Sequence, residues 1–201
     1  MKMTPIAGAK LKAELERDPE YQERRRRDER RRKKLREATQ PVVSALSEAG
    51  IKLDSPWALT NAATLDPEIL AVLLEQLQLP YPSNVRKWIA RAMAIPEVRA
   101  FWDELVALFE AEPTDDTGVK FEIGLCLAAA ADRKRLEDVH RLIRDRRHGS
   151  SRLALILPLM RLRDPRRDST FAELADDPDL HKEIAVKVKE IERRRRKREN
   201  S

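Results

Sequence analysis

The side chains whose types could carry chemistry are few: His140, His148 and His181, the single cysteine Cys126, and the adjacent carboxylates Asp115–Asp116 and Asp176–Asp177. A zinc site takes three or four N, O or S ligands at close helical or loop spacing. The three histidines lack that spacing, and His148 with Gly149 reads as a turn. One cysteine allows neither an intrachain disulfide nor a multi-thiolate site. Cys126 lies in the apolar helical segment Phe121–Ala131 without a histidine in a recognisable motif, so it reads as a small core residue. Both carboxylate pairs stand where helices start, and acids there cap backbone N–H groups. Glycine-rich phosphate loops and serine elbows are absent. The sequence therefore predicts no catalytic residue, no metal and no cofactor, and a protein that is not an enzyme.

Two residue classes remain. Trp57, Trp88 and Trp102 could stack a flipped base, the more so because Asp103 follows Trp102 directly. Each nevertheless falls at core spacing in its helix, which predicts ordinary packing. The second class is arginine in blocks: Arg24, Arg25, Arg26 and Arg27, then Arg30, Arg31 and Arg32 with Lys33 and Lys34, and at the far end Arg193, Arg194, Arg195 and Arg196. Residues 1–40 carry 14 Lys+Arg against 8 Asp+Glu and residues 187–201 carry 8 against 3, while residues 41–186 carry 19 against 24. Basic ends on a mildly acidic body can neutralise phosphates by counterion release, which makes RNA or DNA a possible partner. Aromatic residues do not interleave the blocks, so a stacking platform for bases is missing.

The elements that position these residues are helical. Five glycines sit among many Ala, Leu, Glu, Lys and Arg, a helix-forming composition poor in turn formers. Asp18, Pro19 and Glu20 form a helix start, with a cap, a first-turn proline and an acid at the dipole. From Gln22 to Lys34 no residue is apolar, so that helix has no face to bury. Beyond it, apolar periodicity broken by Pro, Asp and Gly predicts helices at Pro41–Ala49, Pro56–Ala63, Pro67–Leu79, Ser83–Ala94, Pro96–Glu110, Asp116–Ala131, Lys134–Asp145, Ser150–Leu162, Asp168–Ala175 and Pro178–Arg194. Pro158, inside one of these, predicts a kink. Short links force consecutive helices side by side, giving about five antiparallel hairpins. Met1–Lys10 holds no signal-peptide core, and the longest apolar run, Leu153–Met160, is far below the roughly 20 residues that span a bilayer. A cytoplasmic protein without membrane contact is expected.

The second helices share a register. Val85-Arg86, Val119-Lys120, Ser151-Arg152 and His181-Lys182 place a base at intervals of 34, 32 and 30 residues, within the range of helical-hairpin solenoids. Three residues on stand Ile89, Ile123, Leu155 and Ala185, repeating one buried position. With Leu70-Leu73-Leu74-Leu77, Asn84-Val85-Arg86-Lys87-Trp88-Ile89, Leu105-Leu108, Leu125-Leu127-Ala128 and Leu136-Leu142-Arg144-Asp145, the chain resembles the HEAT-like repeat family, including short bacterial forms of the phycobilisome-lyase type, over residues 41–190. The heavy use of Arg over Lys agrees with a bacterial source of high GC content.

The resemblance implies an all-α, right-handed α-solenoid with a charged N-terminal extension (1–40), a repeat domain (41–190) and a basic tail (191–201). It implies that a turn Asp pairs with the base opening the next helix: Asp145 with Arg152, Asp177 with Lys182, and Asp115 or Asp116 with Lys120. It also implies that second helices line a concave face, where Arg86, Lys87, Arg91, Glu122 and Arg152 are the residues expected to meet a partner. The function expected is a non-enzymatic scaffold binding a protein partner. The alternatives are a nucleic-acid-associated module using the basic ends, and an alkylbase DNA glycosylase, which the resemblance reaches by fold alone.

Overall fold

A computed structural model describes residues 18–53, 59, 64–115 and 117–199. Apart from Leu59, the predicted helix Pro56–Ala63 with Trp57, and also Asp116 and Met1–Lys10, lie outside the described residues. Among those described the chain is all-helical, with nine α-helices joined by short turns and 3₁₀ segments and no strand. It divides into two units, Met1–Pro41 and Val42–Ser201.

Helix α1 runs Pro19–Glu48. As the sequence predicts, Asp18 caps it, its Oδ1 accepting from the Glu20 N–H at 2.9 Å. The helix expected to begin at Pro41 is instead the end of this one, with Pro41 inside it. An interior proline costs about 3 kcal/mol. Val42 and Leu46, one turn apart and fully buried, return about 1.5–3 kcal/mol each, which explains why the helix continues. It closes at Gly50, whose φ is +81°.

The remaining helices come in consecutive pairs. Helix α2 (Pro67–Leu77) buries Leu70, Leu73, Leu74 and Leu77 at helical spacing and packs on α3 (Ser83–Ala92). A 3₁₀ turn, Pro96–Phe101, leads into α4 (Trp102–Ala111), which packs on α5 (Val119–Ala130). Helix α6 (Leu136–Arg144) meets the segment Arg146–Leu155, two short 3₁₀ turns separated by a kink at Gly149, which continues as α7 (Ile156–Leu162). Helices α8 (Arg167–Glu173) and α9 (His181–Glu199) pack on each other. The expected kink at Pro158 takes the form of this change of helix type: the segment is 3₁₀ up to Leu155, and Pro158 falls in the first turn of α7, where a missing N–H costs least.

Helix α5 is the centre of the body, lying between α3 and Arg146–Leu155 and against α4. Nine of its twelve residues are buried. Gly124 permits that approach, since a Cβ there would stand 3.1 Å from Ala154 Cβ and 3.2 Å from both Phe109 Cε2 and the Ser151 carbonyl. Among the described residues no helix is long and apolar enough to cross a membrane.

Candidate functional site

Three of the four bases expected to open second helices, Arg86, Lys120 and Arg152, bind between helix pairs inside the body. Arg86 donates from Nε to the Leu77 carbonyl at 3.1 Å and grips Glu112 with both Nη atoms at 2.7 and 2.6 Å. Arg152, fully buried, donates to the Ile143 carbonyl at 3.2 Å and to Asp177 at 3.0 and 2.8 Å, with Asp179 at 3.0 Å and the Gly149 carbonyl at 2.9 Å. Lys120 donates to the Glu112 carbonyl at 2.6 Å and lies over the Phe109 ring. Arg86, Lys120 and Arg152 thus each satisfy a carbonyl at the end of the helix before it, an orphan acceptor by helix geometry; the fourth base, Lys182, is exposed at the start of α9. The two arginines also bind a carboxylate 26 and 25 residues ahead, beyond the following first helix.

This corrects the expected turn pairing. Asp145 caps the Arg146–Leu155 segment and binds Arg147, not Arg152; Lys120 takes a carbonyl; and Asp177 serves the base of the preceding pair. Burial alone would raise the Asp177 carboxyl, yet the Arg152 hydrogen bonds, the Asp179 N–H and the charges of Arg152 and Arg146 hold it below the usual carboxylate range. Two of the residues expected at a partner surface are corrected as well. Arg152 is fully buried, and Glu122 is buried with its carboxylate held by Arg91. Arg86, with its side chain 18% exposed, is committed to Glu112.

What the second helices do expose is a different set. One residue after Arg86, Lys120 and Arg152 stand Lys87, Phe121 and Leu153, and five after stand Arg91, Leu125 and Leu157. Phe121 and Leu125 are the half-buried positions of a helix otherwise buried, with Ala129 one turn on, and Leu157 is 49% exposed. Arg91, 66% exposed, reaches across to Glu122, while Lys87 is half-buried and has no ion-pair partner among the described residues. Helix α5 packs between α3 and Arg146–Leu155, and at these register positions the residues are cationic on α3 and apolar on α5 and on the segment that ends in α7. The sequence reading missed the apolar four because half-exposed and core apolar residues look alike in a periodic pattern. Their signal was the register, base plus one and base plus five.

The polar core is closed. His140 Nε2 lies 3.0 Å from Asp164 Oδ2 and Nδ1 2.9 Å from Thr170 Oγ1, while Arg144 donates to the same hydroxyl at 3.0 Å. This has the order of a hydroxyl–imidazole–carboxylate relay, but His140, Asp164 and Thr170 are all buried, and the network ties α6 to α8 and the turn before it. His148 packs its ring 4.7 Å from that of Phe109. Burial and then the Lys120 charge press its basicity below the ordinary value. Cys126 donates to the Ala90 carbonyl at 3.0 Å, and burial, with Glu122 nearby, pushes its thiol far above the ordinary value. Trp88 and Trp102 are buried, and Trp102 donates to Asp138 at 2.9 Å, so neither ring is open to a stacked base. Among the described residues no three His, Cys, Asp or Glu side chains converge to hold a metal.

The basic blocks stand apart. Arg24, Arg25, Arg26, Arg27, Arg30, Arg31 and Arg32 are exposed on α1, where the pairs Arg25–Glu29 and Arg27–Glu23 follow i,i+4 spacing. Arg193, Arg194, Arg195 and Arg196 are exposed on the last turns of α9. No family model matches the chain, and neither does any curated protein or solved structure.

Proposed function

We propose that the chain is a HEAT-like repeat scaffold, a right-handed stack of helical hairpins, that captures a protein partner on the face of its second helices. The observation that carries this reading is the set of half-exposed apolar residues, Phe121, Leu125, Leu153 and Leu157, at the register positions that the cationic Lys87 and Arg91 hold on α3. Contiguous apolar surface with a polar rim marks interaction sites, and helix-in-groove recognition uses apolar anchors at helical spacing. The complementary partner is an amphipathic segment whose apolar side chains cover these residues and whose acidic residues face Lys87. Placing Asp at Phe121 and Leu157 should weaken capture by tenfold or more, about 1.4 kcal/mol per decade, and Lys87→Glu by less. A partner retained equally by the wild type and by the F121D/L157D variant would sink the reading.

A second reading, association with nucleic acid through the basic ends, draws on the exposed arginines of α1 and α9. It predicts binding whose affinity falls steeply with salt. Loss of the arginine blocks should flatten that slope and leave partner capture unchanged.

A further inference from the structure

The turn between α7 and α8 carries three arginines in five residues, Arg163, Arg166 and Arg167, and faces the basic end of α9. Between them lies a cavity of about 340 Å³ lined by Arg163, Arg167, Arg194 and Arg195, with Met160, Pro165 and Ile191 as its apolar walls. The carboxylates in its lining are spoken for. Asp164 is held by His140 and Arg166, and Asp168 gives Oδ1 to Arg167 and Oδ2 to Arg195. Arg167 is the informative member. Its side chain is only 14% exposed, yet Nε and Nη2 share a single oxygen of Asp168, at 2.9 and 2.8 Å. Its other N–H groups have no protein acceptor among the described residues. Arg163 has no partner there either, and holds a left-handed conformation, φ +53°, where glycine would be free of strain.

We infer that this cavity seats a phosphate group, and specifically one phosphate of a nucleic-acid backbone. Guanidinium forks match phosphate oxygens in pairs, and the apolar walls reduce the screening that makes exposed charge pairs weak. Recruiting Arg195 costs little, because its bond to Asp168 is exposed at both ends. The backbone, rather than an isolated phosphate, is favoured by what continues from the cavity: Arg193, Arg196 and Lys197 stand exposed on the same helix, a track for neighbouring phosphates. The inference rests on the nucleic-acid reading of the basic ends and adds a defined seat to it.

The test is fluorescence anisotropy of a short labelled single-stranded oligonucleotide and its duplex, titrated with the full chain at physiological salt. Two charge-matched double variants are compared with the wild type, R163G/R167Q in the cavity and R193Q/R196Q on the same helix outside it. Arg163→Gly relieves a strained residue, so R163G alone keeps the test valid should Arg167→Gln disturb folding. A seated phosphate predicts a loss of about tenfold or more for the cavity pair and about threefold or less for the outer pair. Equal losses would overturn the seat and leave the nucleic-acid reading standing. No binding of either oligonucleotide by the wild type would overturn both. Saturation by a phosphoserine peptide that an oligonucleotide does not displace would assign the cavity to another ligand and overturn the proposal.

Discussion

Arginine does opposite work in two regions of this molecule. At the junctions between helix pairs, Arg86 and Arg152 stand alone in sequence, and every guanidinium nitrogen donates to the protein: a carbonyl behind, a carboxylate ahead. On α1 the arginines come in blocks and are exposed, with Arg25 and Arg27 each paired to a glutamate one turn away. The difference is one of desolvation. A buried guanidinium survives only when geometry satisfies it, and removing its partner leaves an uncompensated charge. An exposed one keeps its water and loses almost nothing when its partner goes. Isolated arginines after a turn are therefore structural here, and runs of arginine are free to act on something outside the chain.

That comparison is broken most directly at Arg152. Asp177→Ala should destabilise the body by about 3–5 kcal/mol, measured by urea unfolding, because it strands a buried guanidinium. Arg152→Met with Asp177→Leu should cost less than the single change, since neither charge is left behind. A single variant that unfolds within about 1 kcal/mol of the wild type would refute the junction role.

Next in size is the turn that delivers Arg152. Gly149 holds φ +53° and ψ −144°, and a Cβ there would meet Thr114 Cγ2 at 2.7 Å. Gly149→Ala should cost about 1–3 kcal/mol. Pairing it with Thr114→Ser relieves the clash and leaves the backbone strain, so a partial recovery in the double variant separates the two.

From Pro67 onward the helices were legible, because Pro67, Pro96 and the capping acids punctuate the chain as helix starts do. The register of the bases was legible too. Their partners were not. A base such as Arg152 has one acid seven residues behind, Asp145, and another 25 ahead, Asp177, and linear spacing favours the near one. Only the stacking of α6, Arg146–Leu155 and α8–α9 brings the far one into reach. Burial of Arg152 and Glu122 was hidden for the same reason, since a charged residue reads as surface until its counter-charge is placed. Pro41 misled in the other direction: it signals a boundary, and the buried Val42 and Leu46 carry the helix through it.

The junctions also set a pH dependence. His148 is less basic folded than its ordinary value of 6.5, chiefly from burial and then from Lys120. The unfolded chain takes up that proton first, so stability should begin to decline as pH falls through about 6.5. Asp177 and Asp164 are depressed below 3.8 despite burial, by the hydrogen bonds that hold their carboxylates. Their contribution is present above that value and is lost as pH falls further, through the folded-state range. Chemical denaturation across pH should show two declines, and His148→Phe should remove the upper one alone.

The smallest expected effect is also the one that separates the two kinds of arginine. Changing Arg24, Arg25, Arg26 and Arg27 together to Gln removes four charges from the surface of α1, where Arg25 and Arg27 form exposed pairs with Glu29 and Glu23. Four charges are a large perturbation by count, and a ledger of salt bridges would assign them a large cost. Desolvation assigns almost none, because these guanidinia are hydrated in the folded and unfolded chain alike. The unfolding free energy of the body from urea titration should stay within about 0.5 kcal/mol of the wild type, while affinity for an oligonucleotide should fall and its salt slope flatten. A loss of stability comparable to that of Asp177→Ala would mean that the α1 arginines are satisfied by buried partners after all, and exposure would then fail as the property that divides this chain's structural cations from its available ones.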